Sequence, residues 1–306
     1  MVWIKVEKND KRLLIDSITK KARWVRKETL KVHKIAQGTR IASSLSCVEI
    51  FSVLYYGKLL RHNPKDTKWD GRDRLIVSKG HGSICLYPIL ADMGYFNLDE
   101  LARVCREGSF LGAIPDPIIP GYETVNGSLG HGIGVGCGIA LALKRKGNER
   151  KVFVIMGDGE LYEGAVWEAV MFAGQHKLDN LIVIIDNNKA CMLGFCRDII
   201  DIEPIGEKFA QFRWNALRIY GHNVETLYDT LKGLAEGKQD SGQDSSQDVK
   251  QDMGRDVGYD VGPNCPTVVV ADTIKGKGVP ALESDPISHI RNLSPDEIDK
   301  IMVTLP

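Results

Sequence analysis

The sequence predicts a doubly wound α/β fold on a mostly parallel sheet. Three observations carry this expectation. Three apolar, β-branched runs, at 151–156, 181–185 and 267–271, continue without polar alternation, as strands do when both faces of a sheet are covered. A segment of helical period at 161–176 separates the first two, and strand–helix–strand order builds parallel βαβ units. Polar, glycine-bearing segments follow two of the runs, and open α/β sheets bind ligands beyond the carboxyl ends of their strands.

In chain order, residues 11–37, rich in Lys, Leu, Ile and Ala, read as a helix, and 47–60 as another, buried on one face. Leu75-Ile76-Val77 reads as a strand. From Gln239 the chain runs QDSG-QDSS-QDVK-QDMG-RDVG-YDVG to Gly262, with Asp at every fourth position from 240 to 260. Such a composition has little to bury. It predicts a flexible acidic insertion over 237–263, in preference to a cation-binding or interaction repeat. A strand resumes at 267–271, so the whole of 1–306 reads as one domain. Ser294-Pro295-Asp296-Glu297 has the form of a helix start.

Composition excludes some classes. Forty Lys and Arg balance forty Asp and Glu among 306 residues, so a strongly basic nucleic-acid footprint is absent. The seven cysteines, at 47, 85, 105, 137, 191, 196 and 265, form no CxxC pair and are expected to be small buried hydrophobes in a reducing compartment. The first residues, MVWIKVEK, hold no long apolar stretch, and no run of 18 apolar residues occurs. Neither a signal peptide nor a membrane span is expected, and the cytoplasm is the expected location.

The chemistry concentrates in Gly157-Asp158-Gly159-Glu160 and, thirty residues on, Asp186-Asn187-Asn188-Lys189. Each follows a predicted strand, and the helix between brings the strands side by side. Asp158 and Asn188 then converge above the sheet edge. A carboxylate and an amide oxygen are hard ligands, suited to Mg²⁺ or Ca²⁺. Gly157 and Gly159 let the backbone approach a phosphate. A helix starting near Leu161 adds free N–H groups for an anion.

The stretch GDGELYEGAVWEAVMFAGQHKLDNLIVIIDNNK resembles the thiamine-diphosphate signature of transketolases. Glu160-Leu161-x-Glu163-Gly164-x-x-x-Glu168-Ala169 resembles transketolases more than the deoxyxylulose-phosphate synthases or pyruvate dehydrogenase subunits. Further blocks agree: Ser78-Lys79-Gly80-His81-Gly82-Ser83 with Leu86-Tyr87, Gly127-Ser128-Leu129-Gly130-His131-Gly132, Trp214 with Gly221-His222-Asn223, and Lys275-Gly276-Lys277-Gly278 with Glu283 and His289. Together they span roughly 30–300. The resemblance implies the thiamine-diphosphate-binding fold. It implies that Asp158, Asn188 and the Ala190 carbonyl bind the cation. Gly157 and Gly159 would lie beside the diphosphate, which His81 and His289 steady. Gly127 and Leu129 would pack near the thiazolium and aminopyrimidine. Glu163 and Glu168 would face a cofactor-activating Glu on a partner chain, and His131 is a candidate for proton handling. Met192 is expected either in the core or against the thiazole. Lys275 and Lys277 read equally well as a solvated turn.

Two positions depart from the family. Arg40 in Thr39-Arg40-Ile41-Ala42-Ser43-Ser44-Leu45, and Ile114 in Ala113-Ile114-Pro115-Asp116, stand where transketolases carry histidines that contact the donor. Isoleucine has no hydrogen-bonding group. Arginine is permanently cationic, able to pair with a phosphate or carboxylate but not to act as a base. Substrate handling is therefore expected to differ from the ordinary pentose-phosphate pair. A full-length transketolase continues with two more domains, one supplying the activating Glu. The resemblance therefore implies a split enzyme that pairs with a C-terminal partner chain in an α2β2 assembly. The implied activity is transfer of a two-carbon ketol unit from a ketose or ketose phosphate to an aldehyde. Acyl transfer from a 2-oxo acid and an inactive scaffolding homologue are the alternatives. A dinucleotide-binding reading fails, because no GxGxxG follows an early strand.

Overall fold

A computed structural model describes residues 8–125, 127–237 and 264–305; the tetrad repeat lies outside them. The elements are α1 (Lys8–Ile35), α2 (Ile41–Leu45), α3 (Val48–Tyr56), β1 (Arg74–Val77), α4 (Leu86–Asp92), α5 (Gly132–Arg145), β2 (Val152–Gly157), α6 (Gly164–Gln175), β3 (Leu181–Asn187), α7 (Cys196–Ile199), α8 (Ile205–Gln211), β4 (Asn215–Tyr220), α9 (Val224–Ala235), β5 (Thr267–Asp272), α10 (Pro280–Glu283) and α11 (Pro295–Thr304). The strands form one parallel sheet in the order β1-β2-β3-β5-β4.

The uninterrupted apolar runs are explained by two covered faces. Phe153, Ile155, Ile182 and Ile184 point into a core completed by α1, α3, α4 and α9. Val152, Val154, Met156, Val183 and Ile185 point the other way, into a core completed by α5, α6 and α8. Successive strand side chains alternate faces, so both sets must be apolar. A smaller cluster, with Leu30, Ile41 and Leu45 against Leu282, Ile298 and Leu305, seats α10 and α11 on α1 and α2. Register aligns the carboxyl ends: Gly157 lies opposite Asp186, and Asp272 opposite both Asn187 and Tyr220.

Two expected helices are corrected, and one strand was not expected. The helix expected over 47–60 ends at Tyr56, because Gly57 caps it and Lys58 follows at φ 56°. The helix expected from 161 begins at Gly164: residues 159–162 form a 3₁₀ turn and Glu163 is extended. Strand β4 had no apolar signature, because Asn-Ala-Leu-Arg-Ile-Tyr is a half-exposed edge strand that, among the described residues, pairs with β5 alone. Of the cysteines, 47, 85, 137, 196 and 265 are buried as expected, whereas Cys105 is exposed and Cys191 half-buried.

Helix α6 reaches the α8–β4 turn through Gly174, where a Cβ would stand 1.9 Å from the Phe212 carbonyl oxygen. Backbone cannot yield as a flexible side chain can. Gly174→Ala is expected to destabilise the chain by about 1–3 kcal/mol in denaturant unfolding, the range for overpacking. Gly164→Ala on the same helix meets open space and should stay within about 0.5 kcal/mol.

Candidate active site

The expected residues gather where the strands end. Asp158, just past β2, is 3% exposed. Its Oδ1 accepts from the Gly159 N–H at 2.7 Å and its Oδ2 from the Lys189 N–H. That second bond draws the loop after β3 onto the end of β2 and brings Asn188 beside Asp158. Burial, then the neighbouring Asp186 charge, push the Asp158 carboxyl up to about 6, against the pull of Lys275 and the two N–H donors. A desolvated carboxylate beside a second carboxylate calls for positive charge.

The remaining expected donors are held by their own partners. The Asn188 side chain gives its Nδ2 to Asp186 Oδ2 at 3.1 Å, while its Oδ1 accepts from the Ala190 N–H at 3.2 Å. Ala190 is buried, and its carbonyl oxygen accepts from the Lys275 ammonium. One carboxylate, one amide oxygen and one backbone carbonyl are hard oxygens, of the chemistry that suits Mg²⁺ or Ca²⁺ completed by phosphate and water. A cation there competes with the Asp158 proton. Its affinity is therefore expected to rise about tenfold per pH unit below pH 6 and to level off above it, measured by titrating Mn²⁺ with thiamine diphosphate between pH 5 and 8.

Lys275 is 5% exposed, which rules out the solvated-turn reading for it. Its burial lowers the ammonium to about 8, with Asp158 opposing. The same Nζ donates to His289 Nδ1 at 3.1 Å. With Nδ1 accepting, the neutral His289 ring carries its proton on Nε2. The His81 ring lies 4.8 Å from that of His289, centroid to centroid. Burial pushes both imidazoles down to about 3, followed by Lys79 for His81 and Lys275 for His289; the Arg40 charge acts on both. Both rings are thus neutral hydrogen-bonding groups. Arg40 caps the start of α2, half-buried, and Ile114 is 49% exposed.

The glycine-rich loop approaches from the other side. A Cβ on Gly130 (φ 80°) would meet the Glu163 Cβ at 2.6 Å, and one on Gly132 would meet the Ser78 Oγ at 2.4 Å. The loop therefore needs glycine for packing. Gly127 (φ 121°) is exposed and Leu129 half-buried. His131 is exposed, with Nδ1 at 3.0 Å from the Leu129 carbonyl; that contact puts the proton on Nδ1 and leaves Nε2 as the acceptor. Glu163, at the N-cap of α6, and Glu168, within its first two turns, are both exposed. Met192 is 56% exposed, so its core reading is wrong: it sits on the turn after β3, outside the sheet layers.

The helix N-terminus expected near Leu161 lies instead at Gly164, and the N–H groups of the GDG turn before it are in use. The Gly159 N–H serves Asp158, and the Gly157 N–H serves Glu160 at 3.2 Å. Glu160, buried, also accepts from the Gly130 N–H at 2.8 Å and from Ser78 Oγ. It ties β1, β2 and the glycine-rich loop together. Residue patterns gave no role to Glu160, Lys79 or Asp186, whose functions depend on contacts across the sheet. A cavity of about 750 Å³ is lined by Asp158 together with Lys189, Phe195, Glu203 and Arg218. It includes neither His81 nor His289.

Residues 21–250 match the family model described as transketolase, thiamine diphosphate binding domain. Over 293 residues the chain is 35% identical to an apulose-4-phosphate transketolase subunit of Actinobacillus succinogenes, covering 95% of this chain and 96% of that one. It is 33% identical over 275 residues to the 6-deoxy-6-sulfo-D-fructose transketolase subunit SqwG of a Clostridium species, covering 89% and 90%. A solved transketolase from Campylobacter jejuni superposes with a TM-score of 0.75 at 26% identity, over 94% of this chain and 45% of that chain. This chain thus spans less than half of that enzyme.

Proposed function

Because this chain belongs to the transketolase thiamine diphosphate binding domain family, we propose that it is the diphosphate-holding subunit of a split ketol transferase. It moves a two-carbon unit from a ketose or ketose phosphate to an aldehyde, in the cytoplasm. The observation that carries the reading is the hard-oxygen set of Asp158, Asn188 and Ala190 beside Lys275, His81 and His289. Relatives of nearly the same length named as transketolase subunits support the need for a partner. The exposed Glu163 and Glu168 suit a surface completed by that partner, in an α2β2 assembly.

When bound, the cofactor supplies an electron sink for breaking and making a carbon–carbon bond beside a carbonyl. The chain's own residues hold and orient it. Asp158, Asn188 and Ala190 would hold Mg²⁺ against the diphosphate. His289 donates from Nε2 because Lys275 fixes its tautomer, and neutral His81 adds a hydrogen bond without a charge. His131 offers its Nε2 to a proton at the open side of the loop. Arg40 and Ile114 replace two groups that would bind and move protons on a pentose-phosphate donor, so the preferred donor differs from that pair. Arg40 keeps a permanent charge beside two neutral imidazoles, which favours testing an anionic 2-oxo acid alongside ketoses.

Calorimetry of thiamine diphosphate with Mg²⁺, on the chain alone and with a C-terminal transketolase partner, tests this. Binding is expected to appear or strengthen with the partner, and product analysis should then show two-carbon transfer. No heat in either setting from folded protein would sink the enzymatic reading in favour of a scaffold.

A further inference from the structure

We propose that Asp186 is a positioning residue for the cation site: it fixes the Asn188 amide with its oxygen toward the cation, while Lys79 keeps Asp186 itself from ligating. The inference rests on the reading that Asp158 and Asn188 hold a divalent cation.

Asp186 is fully buried and Lys79 is 2% exposed. Asp186 Oδ2 accepts from Ser46 Oγ at 2.5 Å, from the Lys79 ammonium, and from Asn188 Nδ2 at 3.1 Å; Oδ1 accepts from Thr273 Oγ1. Its four donors come from the turn before α3, the end of β1, the loop after β3 and the end of β5. The carboxylate is thus anchored to the sheet edge, and whatever it holds inherits that position.

The Asn188 amide is decided by these neighbours. In the observed orientation Nδ2 meets a carboxylate oxygen and Oδ1 meets the Ala190 N–H. Flipped, the amide would set oxygen against carboxylate and NH₂ against N–H, so both contacts would turn repulsive. Only one orientation survives, and it leaves the second lone pair of Oδ1 for a hard cation. Asp186 lies two residues from Asn188 and would be the more obvious anionic ligand. Its Oδ2 is already filled by Ser46, Lys79 and Asn188, and turning the carboxylate to a cation would loosen its hold on the buried Lys79 charge, which is strongly unfavourable. The site therefore offers the cation Asp158 and neutral oxygens.

Two double variants separate positioning from mere support. Lys79→Met/Asp186→Leu removes both charges and the acceptor, whereas Lys79→Met/Asp186→Asn removes the charges but keeps an oxygen for Asn188. Mn²⁺ affinity with thiamine diphosphate present is measured on the full chain. Exchange of the Asn188 side-chain amide protons is followed by NMR, with their signal assigned by its loss in Asn188→Asp. The Leu variant is expected to lose about 10–100-fold in Mn²⁺ affinity, as for other outer-shell partners, and to exchange fast. The Asn variant should stay near wild type in both. Equal losses in both variants, or unprotected Asn188 protons in a wild-type chain that binds Mn²⁺, would overturn the positioning role alone. A folded wild-type chain that binds no Mn²⁺ either alone or with its C-terminal partner would overturn the cation reading and this inference with it.

Discussion

Asp158→Asn is expected to lower cation-dependent thiamine diphosphate binding by roughly 100-fold or more, beyond the 10–100-fold typical of outer-shell partners. Asp158 is the one carboxylate among the three expected donors, so the substitution removes the only full negative charge offered to the cation. The fold should survive it. Asparagine keeps one of the two oxygens, enough for the Lys189 N–H, and gives up the acceptor that the Gly159 N–H now uses. The native carboxyl is moreover raised to about 6, first by burial and then by Asp186. A folded-state value above the unfolded one contributes stability below the unfolded value, and that contribution is lost as pH rises through about 6. Without a cation at pH 8, the ionised side chain is therefore a liability. Relief of that charge offsets the lost acceptor, so the variant should melt near wild type there, while a calorimetric titration with Mg²⁺ shows the binding loss. A variant that melts far lower and binds nothing would assign Asp158 to the fold rather than to the cation.

The part of the site visible in the sequence is the part that local chain order determines. Asp158 and Asn188 each follow a continuous apolar strand, and parallel pairing of β2 with β3 brings them together; no distant contact need be known. Asp186 sits in the same tetrapeptide as Asn188, yet its role is set by Ser46, Lys79 and Thr273 from three other segments. The GDG turn misled for a similar reason. Its glycines were expected to let the backbone approach a phosphate, but Glu160 and Asp158 take two of its N–H groups, and Glu160 is fixed in turn by Gly130, thirty residues earlier. Strand β4 was missed because an edge strand with a half-exposed pattern has no continuous apolar run to show. Met192 is apolar and follows a strand, which suggested the core, but the chain has already left the sheet at Asn187.

Glu49→Ala is expected to destabilise the chain by about 3–5 kcal/mol, the range for breaking a buried charge pair by removing one partner. Glu49 Oε1 accepts from the Arg26 guanidinium, which also donates to the Leu45 carbonyl at 3.0 Å, and Oε2 lies 2.9 Å from His222 Nδ1. All three side chains are nearly inaccessible. Burial alone would raise the Glu49 carboxyl, but the His222 hydrogen bond and the Arg26 charge outweigh it and hold it below the usual carboxylate range. A depressed folded-state value gives stability that is present above the unfolded carboxyl value and lost as pH falls through the folded one. Wild type and variant should therefore converge in acid. Arg26→Met/Glu49→Met, which leaves no charge unpaired, should recover most of the loss. The consequence also reaches the active site. His222 Nε2 accepts from the Ile274 N–H at 2.8 Å, which requires the proton on Nδ1, where Glu49 holds it. Without Glu49 the other tautomer would set N–H against N–H at the residue preceding Lys275. Urea unfolding of the single and double variants, read beside cofactor affinity, separates the two effects. Recovery of stability without recovery of affinity is the expected result, because a methionine in place of Glu49 restores packing but cannot fix the His222 tautomer.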